Sequence, residues 1–226
     1  MQTTDFEEAK RLYRELFPTS PFFDAWVPQS HFLKAELNGE NLSISRRDQD
    51  IYGMAFGPNP IIPSEWSSFS MESKGVAGLP SDVEVMDEWD CYWAQTAPGS
   101  MLSDRKKSDS EIDAFLREHA PSSSVFPGND EILRWIEICD GDQLAGVAAL
   151  CRWQSGRVVV SSVATHLDRR GEGIGKKVMA ASLSAAHELG EEFLSLGVMH
   201  ANLSAHRLYQ SMGFTLMHNF TYCERR

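Results

Sequence analysis

The chain has 226 residues, a formal net charge of −11 at pH 7, and hydrophobic and charged fractions of 42% and 23%. These values are ordinary for a soluble globular protein with one generous hydrophobic core or two small ones. The acidic balance argues against a nucleic-acid-binding protein, which needs basic residues to neutralise phosphates.

Neither a membrane anchor nor a metal site is expected. No apolar run approaches the roughly 20 residues that span a bilayer, and residues 1–17 lack the apolar stretch of a secretion signal. His200 and His206 are six positions apart, a spacing that cannot place two ligands on one helical face. The cysteines form no Cys-x-x-Cys pair, which favours reduced thiols in a cytoplasmic protein. They are Cys91, Cys139, Cys151 and Cys223.

The first half of the chain begins with a predicted amphipathic helix. Residues 4–17 carry apolar side chains at helical spacing, and Thr4 with Glu7 forms a capping-box pattern. Further on, the composition predicts two short strands around a polar turn at 41–57, a loop at 57–82 and an aromatic strand at 82–95.

A polar break containing Pro and Gly at residues 96–109 is the best candidate for a domain boundary. It divides the chain into an N-terminal accessory region, 1–107, and a domain at 108–226. Residues 46–57 resemble residues 139–150 in their turn and their small residues, with an offset of one residue. This similarity leaves two interpretations open, namely unrelated hairpins or the remnant of an internal repeat.

The second half shows sharper signals. Ser108 and Glu111 predict the capped start of a helix that Pro121 ends. A tight antiparallel meander of three strands, a glycine-rich turn and a helix capped near Gly190 come next. The order of elements indicates a mixed α/β fold. The predicted strands are 132–139, 143–153, 157–166 and 192–198, followed by a helix at 205–212 and a strand pair or bent strand at 214–223.

The glycine-rich turn, "DRRGEGIGKKVM" at residues 168–179, has the features of an anion-binding site. Absent side chains let successive backbone N–H groups point at one anion, and a helix N-terminus adds roughly half a positive charge. A Walker loop is excluded because Lys176 is followed by Lys177 rather than Ser or Thr, and the dinucleotide fingerprint fails because the third position after Gly173 is Lys176. The alternative is a turn that serves only tight packing.

At this point the sequence resembles a known family. Residues 163–179, "VATHLDRRGEGIGKKVM", resemble the acetyl-CoA loop of the GNAT superfamily of N-acetyltransferases, whose signature is Arg/Gln-x-x-Gly-x-Gly/Ala. Residues 202–214, "NLSAHRLYQSMGF", match that family's Asn-x-x-Ala-x-x-x-Tyr-x-x-x-Gly-Phe segment. The resemblance covers about residues 108–226. It implies an α/β (α+β) fold with a mixed, mostly antiparallel central sheet flanked by helices, and it leaves open a degenerate second copy within residues 1–107.

The resemblance also implies an activity. An acyltransferase of this family moves an acetyl group from acetyl-CoA to a primary amine of a small molecule or peptide by direct transfer, and relatives are often homodimers. Tyr209 would protonate the departing thiolate, Asn202 would bind the pantetheine arm, and a backbone N–H near Val163 to Thr165 would stabilise the oxyanion. The other implied cofactor-binding residues are Val163, Ala164 and Thr165 along the pantetheine, and Arg170, Gly171, Glu172, Gly173, Ile174, Gly175 and Lys176 around the pyrophosphate.

Two departures from the family pattern affect this interpretation. Glu172 stands where relatives usually carry a basic or polar residue, which would weaken phosphate attraction. Many relatives also place a carboxylate before the turn to deprotonate the amine, whereas this chain has Ser161 and Ser162. The general base is left open between Glu137, His166 and a water held by the serines. The same feature supports an alternative function, a non-catalytic acyl-CoA-binding or sensing module.

Overall fold

The computed structural model describes residues 1–74, 79–99 and 107–226, and the chain forms two compact units. Unit 1 consists of Met1–Cys91, Gly197–Leu203 and Leu216–Arg226, and unit 2 of Tyr92–Leu196 and Ser204–Thr215. The sequence-based division at residue 107 stays a prediction, and part of the break on which it depends, residues 100–106, lies outside the described residues. Among the described residues, no helix is both long and apolar enough to cross a bilayer.

Helices and strands alternate along most of the chain. The helices are α1 (Phe6–Leu16), α2 (Phe22–Trp26), α3 (Asp109–His119), α4 (Ile174–Glu188) and α5 (Leu203–Ser211). The strands are β1 (Gln2–Thr3), β2 (Phe32–Asn38), β3 (Asn41–Arg47), β4 (Ile51–Phe56), β5 (Ser68–Glu72), β6 (Val83–Gln95), β7 (Ile132–Asp140), β8 (Gln143–Arg152), β9 (Val158–Thr165), β10 (Phe193–Met199) and β11 (Thr215–Arg225).

Unit 1 is a sheet with the strand order β1-β2-β3-β4-β5-β11-β6. The neighbours β1 and β2, β2 and β3, β3 and β4, and β5 and β11 pair antiparallel, whereas β4 and β5 run parallel. An aromatic cluster from α1, α2 and the strands covers one face of this sheet, with the ring of Tyr13 packed 5.4 Å from that of Phe56. Trp66, fully buried in the loop after β4, packs with Ala55 and Phe69 to cover the other face.

Two expectations for unit 1 were wrong. The first helix has Asp5 as its N-cap, with the carboxylate accepting a hydrogen bond from the Glu8 backbone N–H at 2.8 Å, so Thr4 and Glu7 form no capping box. Asp is itself a preferred N-cap residue, and the helix is capped by Asp5, one position after the predicted Thr4. The predicted loop at 57–82 contains β5, whose Ser-rich sequence becomes a strand because β4 and β11 pair with its two edges.

Unit 2 has the strand order β6-β10-β9-β8-β7, with the end of β6 placed beside β10 by the hydrogen bond from Thr96 N to Glu192 O at 3.0 Å. The predicted meander is confirmed, because β7, β8 and β9 pair antiparallel in sequence order. The predicted capping box at Ser108 and Glu111 is also present. Strand β10 then runs parallel to β9, with Ser195 opposite Val159.

The two faces of this second sheet are covered by different helices. Phe115 and Leu116 of α3 pack with Val147 of β8, and we call this side the α3 face. On the opposite side, the α4 face, a Cβ on Gly146 would lie only 2.6 Å from Ile174 of α4. Gly146 therefore allows α4 to approach the strand closely.

Candidate functional site

The glycine-rich turn lies between β9 and α4, as the sequence predicted. Gly173 is the N-cap of α4 with φ 79°, and Gly171 has φ 88°, both in the left-handed region that favours glycine. No side chain in the described part of the chain caps this helix, and the N–H of Lys177 donates to Gly173 O at 3.2 Å. The N–H groups of the three residues after Gly173 thus have no partner within the helix, and they point out of its positive end. This is the geometry of an anion site.

Gly175 plays a different part from the other two glycines of the turn. A Cβ there would lie 3.1 Å from Leu208 of α5, so its small size allows α5 to pack on the first turn of α4. Among the described residues, apart from the chain neighbours, no atom lies within 4 Å of a Cβ built on Gly171 or Gly173. Gly175 is needed for packing, whereas Gly171 and Gly173 are needed for their backbone conformation.

Glu172 pairs with a basic residue of the turn. Its carboxylate accepts hydrogen bonds from Arg169 Nε at 3.0 Å and Nη2 at 2.8 Å, and this pairing raises the pKa of Arg169. Arg169 Nη1 also lies 3.0 Å from the carboxylate of Asp140, so two acids share its single charge. Three further basic side chains are exposed at the turn, those of Arg170, Lys176 and Lys177.

The end of β9 presents backbone groups on the edge away from β8. The N–H of His166 donates to Ala145 O at 2.9 Å, and by the alternation of an antiparallel ladder Thr165 directs its N–H and C=O the other way. Ser162 has φ 51°, the one positive φ of a non-glycine residue in the described part of the chain, and it lies where the register with β8 shifts. Such a bulge re-aims the residues that follow it.

The two serines of β9 hold a neighbouring loop, a role that the sequence analysis missed. Ser162 Oγ donates to Val125 O at 2.7 Å and accepts from Val125 N at 3.1 Å. Ser161 Oγ lies 2.7 Å from Ser124 Oγ. Together they attach the segment after α3 to the bulge of β9. Of the two hydroxyls, that of Ser161 has the greater capacity left to bind a water molecule.

Glu137 and His166, the other two candidate bases, each have a local structural contact. The Glu137 carboxylate accepts the backbone N–H of Lys107 at 2.7 Å. His166 Nδ1 accepts the N–H of Asp168 at 3.3 Å, and its ring lies 4.1 Å from the ring of His119. Burial, followed by the proximity of His166, lowers the pKa of His119.

Tyr209, the candidate proton donor, lies on α5 and is 5% exposed. Its ring is 6.1 Å from that of Tyr92 and 5.9 Å from that of Phe214. Burial raises the pKa of Tyr209 to about 12, so the phenol keeps its proton at neutral pH. Tyr92, whose hydroxyl lies 3.0 Å from His206 Nδ1, was not identified as a neighbour because more than 100 residues separate it from α5.

Asn202, the remaining predicted cofactor contact, belongs to unit 1 and has an exposed side chain. Its backbone N–H donates to Met199 O at 2.9 Å. The bulge of β9, the glycine-rich turn and Tyr209 all belong to unit 2, whereas Asn202 belongs to unit 1.

Unit 1 contains a carboxylate–histidine pair that no sequence motif signalled. Asp90, 2% exposed, accepts a hydrogen bond from His200 Nδ1 at 2.9 Å and another from Asn219 Nδ2. The bond to Asp90 raises the pKa of His200. The partners lie 110 and 129 residues apart in the sequence, so only the fold reveals them.

Comparisons with known proteins identify the family to which the chain belongs. The model of the Acetyltransferase (GNAT) family matches residues 86–214, more than half of the chain. The L-amino acid N-acyltransferase MnaT of Escherichia coli is 29% identical over 77 residues, which are 32% of this chain and 45% of that enzyme. The chain therefore spans less than half the length of that relative.

A second relative and a solved structure extend the match. An uncharacterised N-acetyltransferase of Bacillus subtilis, YsnE, is 32% identical over 128 residues, covering 50% of this chain and 81% of the relative. The crystal structure of a GCN5-related N-acetyltransferase from Sphaerobacter thermophilus covers 100% of this chain and 95% of its own, with a TM-score of 0.57 and 10% identity, which supports the fold alone. The predicted mixed, mostly antiparallel α/β fold is confirmed, and the chain belongs to the acetyltransferase (GNAT) family.

Proposed function

We propose that this protein transfers an acetyl group from acetyl-CoA to a primary amine of a small molecule or peptide by direct attack. The observation that carries the proposal is the uncapped N-terminus of α4 behind Gly171 and Gly173, which presents three backbone N–H donors at the positive end of a helix. Membership of the family supports the same assignment. A cytoplasmic location and a homodimer stay predictions.

The residues present fit the proposed cosubstrate. Its pyrophosphate would be held by the N–H groups at the start of α4 and by the exposed Arg170. Its pantetheine amides would pair with the outward-facing backbone of Thr165, much as an added strand pairs with a sheet edge.

In the reaction, the amine nitrogen forms a bond to the acyl carbon, the carbon–sulfur bond breaks, and the amine gives up one proton. Acetyl-CoA, when bound, supplies the activated acyl group. Tyr209 is the proposed hydrogen-bond donor to the departing sulfur. With the phenol pKa at about 12, complete proton transfer to a thiolate, whose thiol has a pKa near 8.5, would be uphill. Tyr209 therefore stabilises the thiolate chiefly by donating a hydrogen bond.

The amine must be neutral when it attacks, so its proton needs an acceptor. Glu137 and His166 both accept backbone N–H groups. We propose that a water molecule bound to the Ser161 hydroxyl accepts this proton. Ser161 lies on β9 beside the bulge, and its hydroxyl is hydrogen-bonded to that of Ser124, an exposed residue. The proton would leave to bulk solvent along this path.

Thiol release from acetyl-CoA, measured with a panel of amines, tests the proposal. The panel begins with amino acids, because one relative is an L-amino acid N-acyltransferase, and it includes polyamines and peptide N-termini. We expect turnover with at least one class of amine. CoA binding without turnover across the panel would contradict the proposal and favour the non-catalytic acyl-CoA sensor.

The phosphate contact can be tested by binding alone. Arg170→Ala should weaken CoA about threefold to fivefold, and the difference should shrink at high salt because exposed charges are screened. Arg117→Ala is the matched control, since it removes an exposed arginine that pairs with Asp113 on α3. Calorimetric titration measures both variants. Equal affinities for the two would exclude a role for Arg170 at the pyrophosphate.

A further inference from the structure

Two histidines of unit 2 accept backbone N–H groups just before the glycines of the turn. A short 3₁₀-helix, Leu167–Arg169, lies between β9 and these glycines. The N–H of Leu167 donates to His119 Nδ1 at 3.4 Å, and the N–H of Asp168 donates to His166 Nδ1 at 3.3 Å. An imidazole nitrogen accepts a hydrogen bond only when it carries no proton. Both contacts therefore require a neutral ring.

His119 connects this 3₁₀-helix to α3. It is the last residue of α3 and is 6% exposed. The centre of its ring lies 4.5 Å from that of Phe115 and 4.1 Å from that of His166. Its backbone carbonyl accepts a hydrogen bond from Arg170 Nη2 at 3.4 Å. The end of α3 thus contacts the segment at Leu167 and again at Arg170, the residue proposed to bind the pyrophosphate.

Protonation of His119 would remove this support. An imidazolium has two N–H donors and no acceptor, so the N–H of Leu167 would lose its partner. Leaving a partly buried donor unpaired costs free energy. The new positive charge would also lie beside the ring of His166 and the guanidinium of Arg170. The 3₁₀-helix is then no longer held against α3.

The pKa of His119 depends on its burial and on four neighbouring side chains. Burial has the largest effect and lowers the pKa of His119. His166 and Arg170 also lower it, whereas Glu118 of α3 and Asp168 of the 3₁₀-helix raise it. The net shift is downward, so the ring is neutral at neutral pH. The hydrogen bond that it accepts is present above this lowered pKa and is lost as the pH falls through it.

We propose that His119 is a positioning residue for the cosubstrate, which fixes the 3₁₀-helix and Arg170 when its ring is neutral and releases them when its ring is protonated. The affinity for CoA then falls in acid. This inference rests on the proposed function and adds to it a pH control of the cosubstrate site. His119 acts through Leu167 and Arg170, and no contact with CoA is assigned to it.

Calorimetric titration with CoA at about pH 7.5 and about pH 5.5, on either side of the usual histidine pKa of about 6.5, tests this role. His119→Asn keeps an oxygen acceptor near the position of Nδ1 but does not titrate, whereas His119→Phe keeps a ring without an acceptor. The 3′-phosphate of CoA itself titrates at about pH 6, so the quantity compared is the ratio of the two Kd values in each protein.

We expect the rise in Kd between the two pH values to be about threefold to fivefold larger in the wild type than in His119→Asn, the effect of one neutral hydrogen bond. At about pH 7.5, His119→Asn should bind CoA like the wild type, and His119→Phe should bind it about threefold to fivefold more weakly. His187→Asn is the matched control, since His187 is an exposed histidine in the last turn of α4. It should keep the wild-type ratio.

The outcomes separate this inference from the proposed function. Equal ratios in the wild type and His119→Asn overturn the role of His119 and leave the proposed function standing. Equally weak CoA binding and equally lowered melting temperatures in His119→Asn and His119→Phe also overturn it, since they would indicate a purely structural role. A wild-type protein that does not bind CoA overturns both. CoA binding without turnover of any amine overturns the proposed transfer alone, because the titration measures binding and not activity.

Discussion

Each unit contains a glycine in the middle of a buried strand, and the element packed over that glycine differs. In unit 1, a Cβ on Gly53 of β4 would overlap the ring of Trp66, which comes from an irregular segment. In unit 2, a Cβ on Gly146 of β8 would overlap Ile174 and Val178 of α4. Both glycines allow a close approach, but only the second lies under a helix.

The difference explains why the anion site occurs in one unit. Both units join two parallel strands, β4 to β5 and β9 to β10. Residues 57–67, all of which are described, make the first connection without a helix, whereas α4 makes the second. A loop can bury a sheet face as well as a helix does, but only a helix terminus aligns several free N–H groups and a dipole. In unit 1, residues 57–67 thus pack on the sheet without a helix N-terminus at which an anion could bind.

The sequence similarity between residues 46–57 and 139–150 aligns Gly53 with Gly146, and the topology suggests another alignment. In both units a three-stranded antiparallel meander is followed by a strand parallel to its last member, which matches β4 with β9 rather than with β8. The shared order is what a duplicated fold would show. A degenerate second copy in residues 1–107 stays a prediction.

The largest expected effect contrasts one buried tyrosine of each unit. Tyr209→Phe should lower kcat about 100-fold with CoA affinity unchanged, because it removes the donor to the departing sulfur. Tyr13→Phe, in unit 1, removes a hydroxyl that contacts Ser20 at 2.8 Å and His218 at 2.6 Å. It should lower the free energy of unfolding by about 1–3 kcal/mol and leave kcat unchanged. Steady-state kinetics and denaturant unfolding check the pair.

The two strand glycines allow a symmetric test. Gly53→Ala and Gly146→Ala should each lower the free energy of unfolding by about 1–3 kcal/mol, because both crowd a packed interior. Only Gly146→Ala should also weaken CoA binding, since α4 must shift to make room. Chemical denaturation and calorimetric titration measure the two effects. Weaker CoA binding in Gly53→Ala would contradict the expectation that only unit 2 binds CoA.

A smaller effect is expected at the glycine-rich turn, where we propose that the pyrophosphate binds. Gly173→Ala should weaken CoA binding at least tenfold, about 1.4 kcal/mol, because an L side chain disfavours the φ that aims these N–H groups. Gly39→Ala in unit 1 is the control, since Gly39 has φ 61° and, chain neighbours aside, no described residue would come within 4 Å of the added Cβ. It carries similar backbone strain away from the turn. Titration of both variants with CoA decides whether the glycine-rich turn binds an anion or serves only tight packing.

The smallest effect concerns two histidines with opposite shifts. In unit 1 the hydrogen bond that His200 donates to Asp90 raises the pKa of His200, so its imidazole stays charged to a higher pH than usual. In unit 2 burial lowers the pKa of His119, so that ring becomes neutral at a lower pH. Asp90→Asn should bring the His200 pKa back toward about 6.5 and leave His119 unchanged. NMR titration of the ring protons measures both, and an unshifted His200 in the wild type would contradict the assignment.

The sequence alone determined the features that depend on neighbours along the chain. The meander, the cap at Ser108 and the glycine turn before α4 follow from local periodicity, side-chain capping and backbone freedom, and each of them is present in the structure. The family resemblance followed from the same local residues.

The tertiary structure decided what depends on residues far apart in the chain. β5 becomes a strand only because β4 and β11 lie on either side of it. Ser162 acquires its positive φ at the register shift between β9 and β8. Hydrogen-bond pairing and burial between distant segments set these properties, and no pattern within a short window of sequence encodes them.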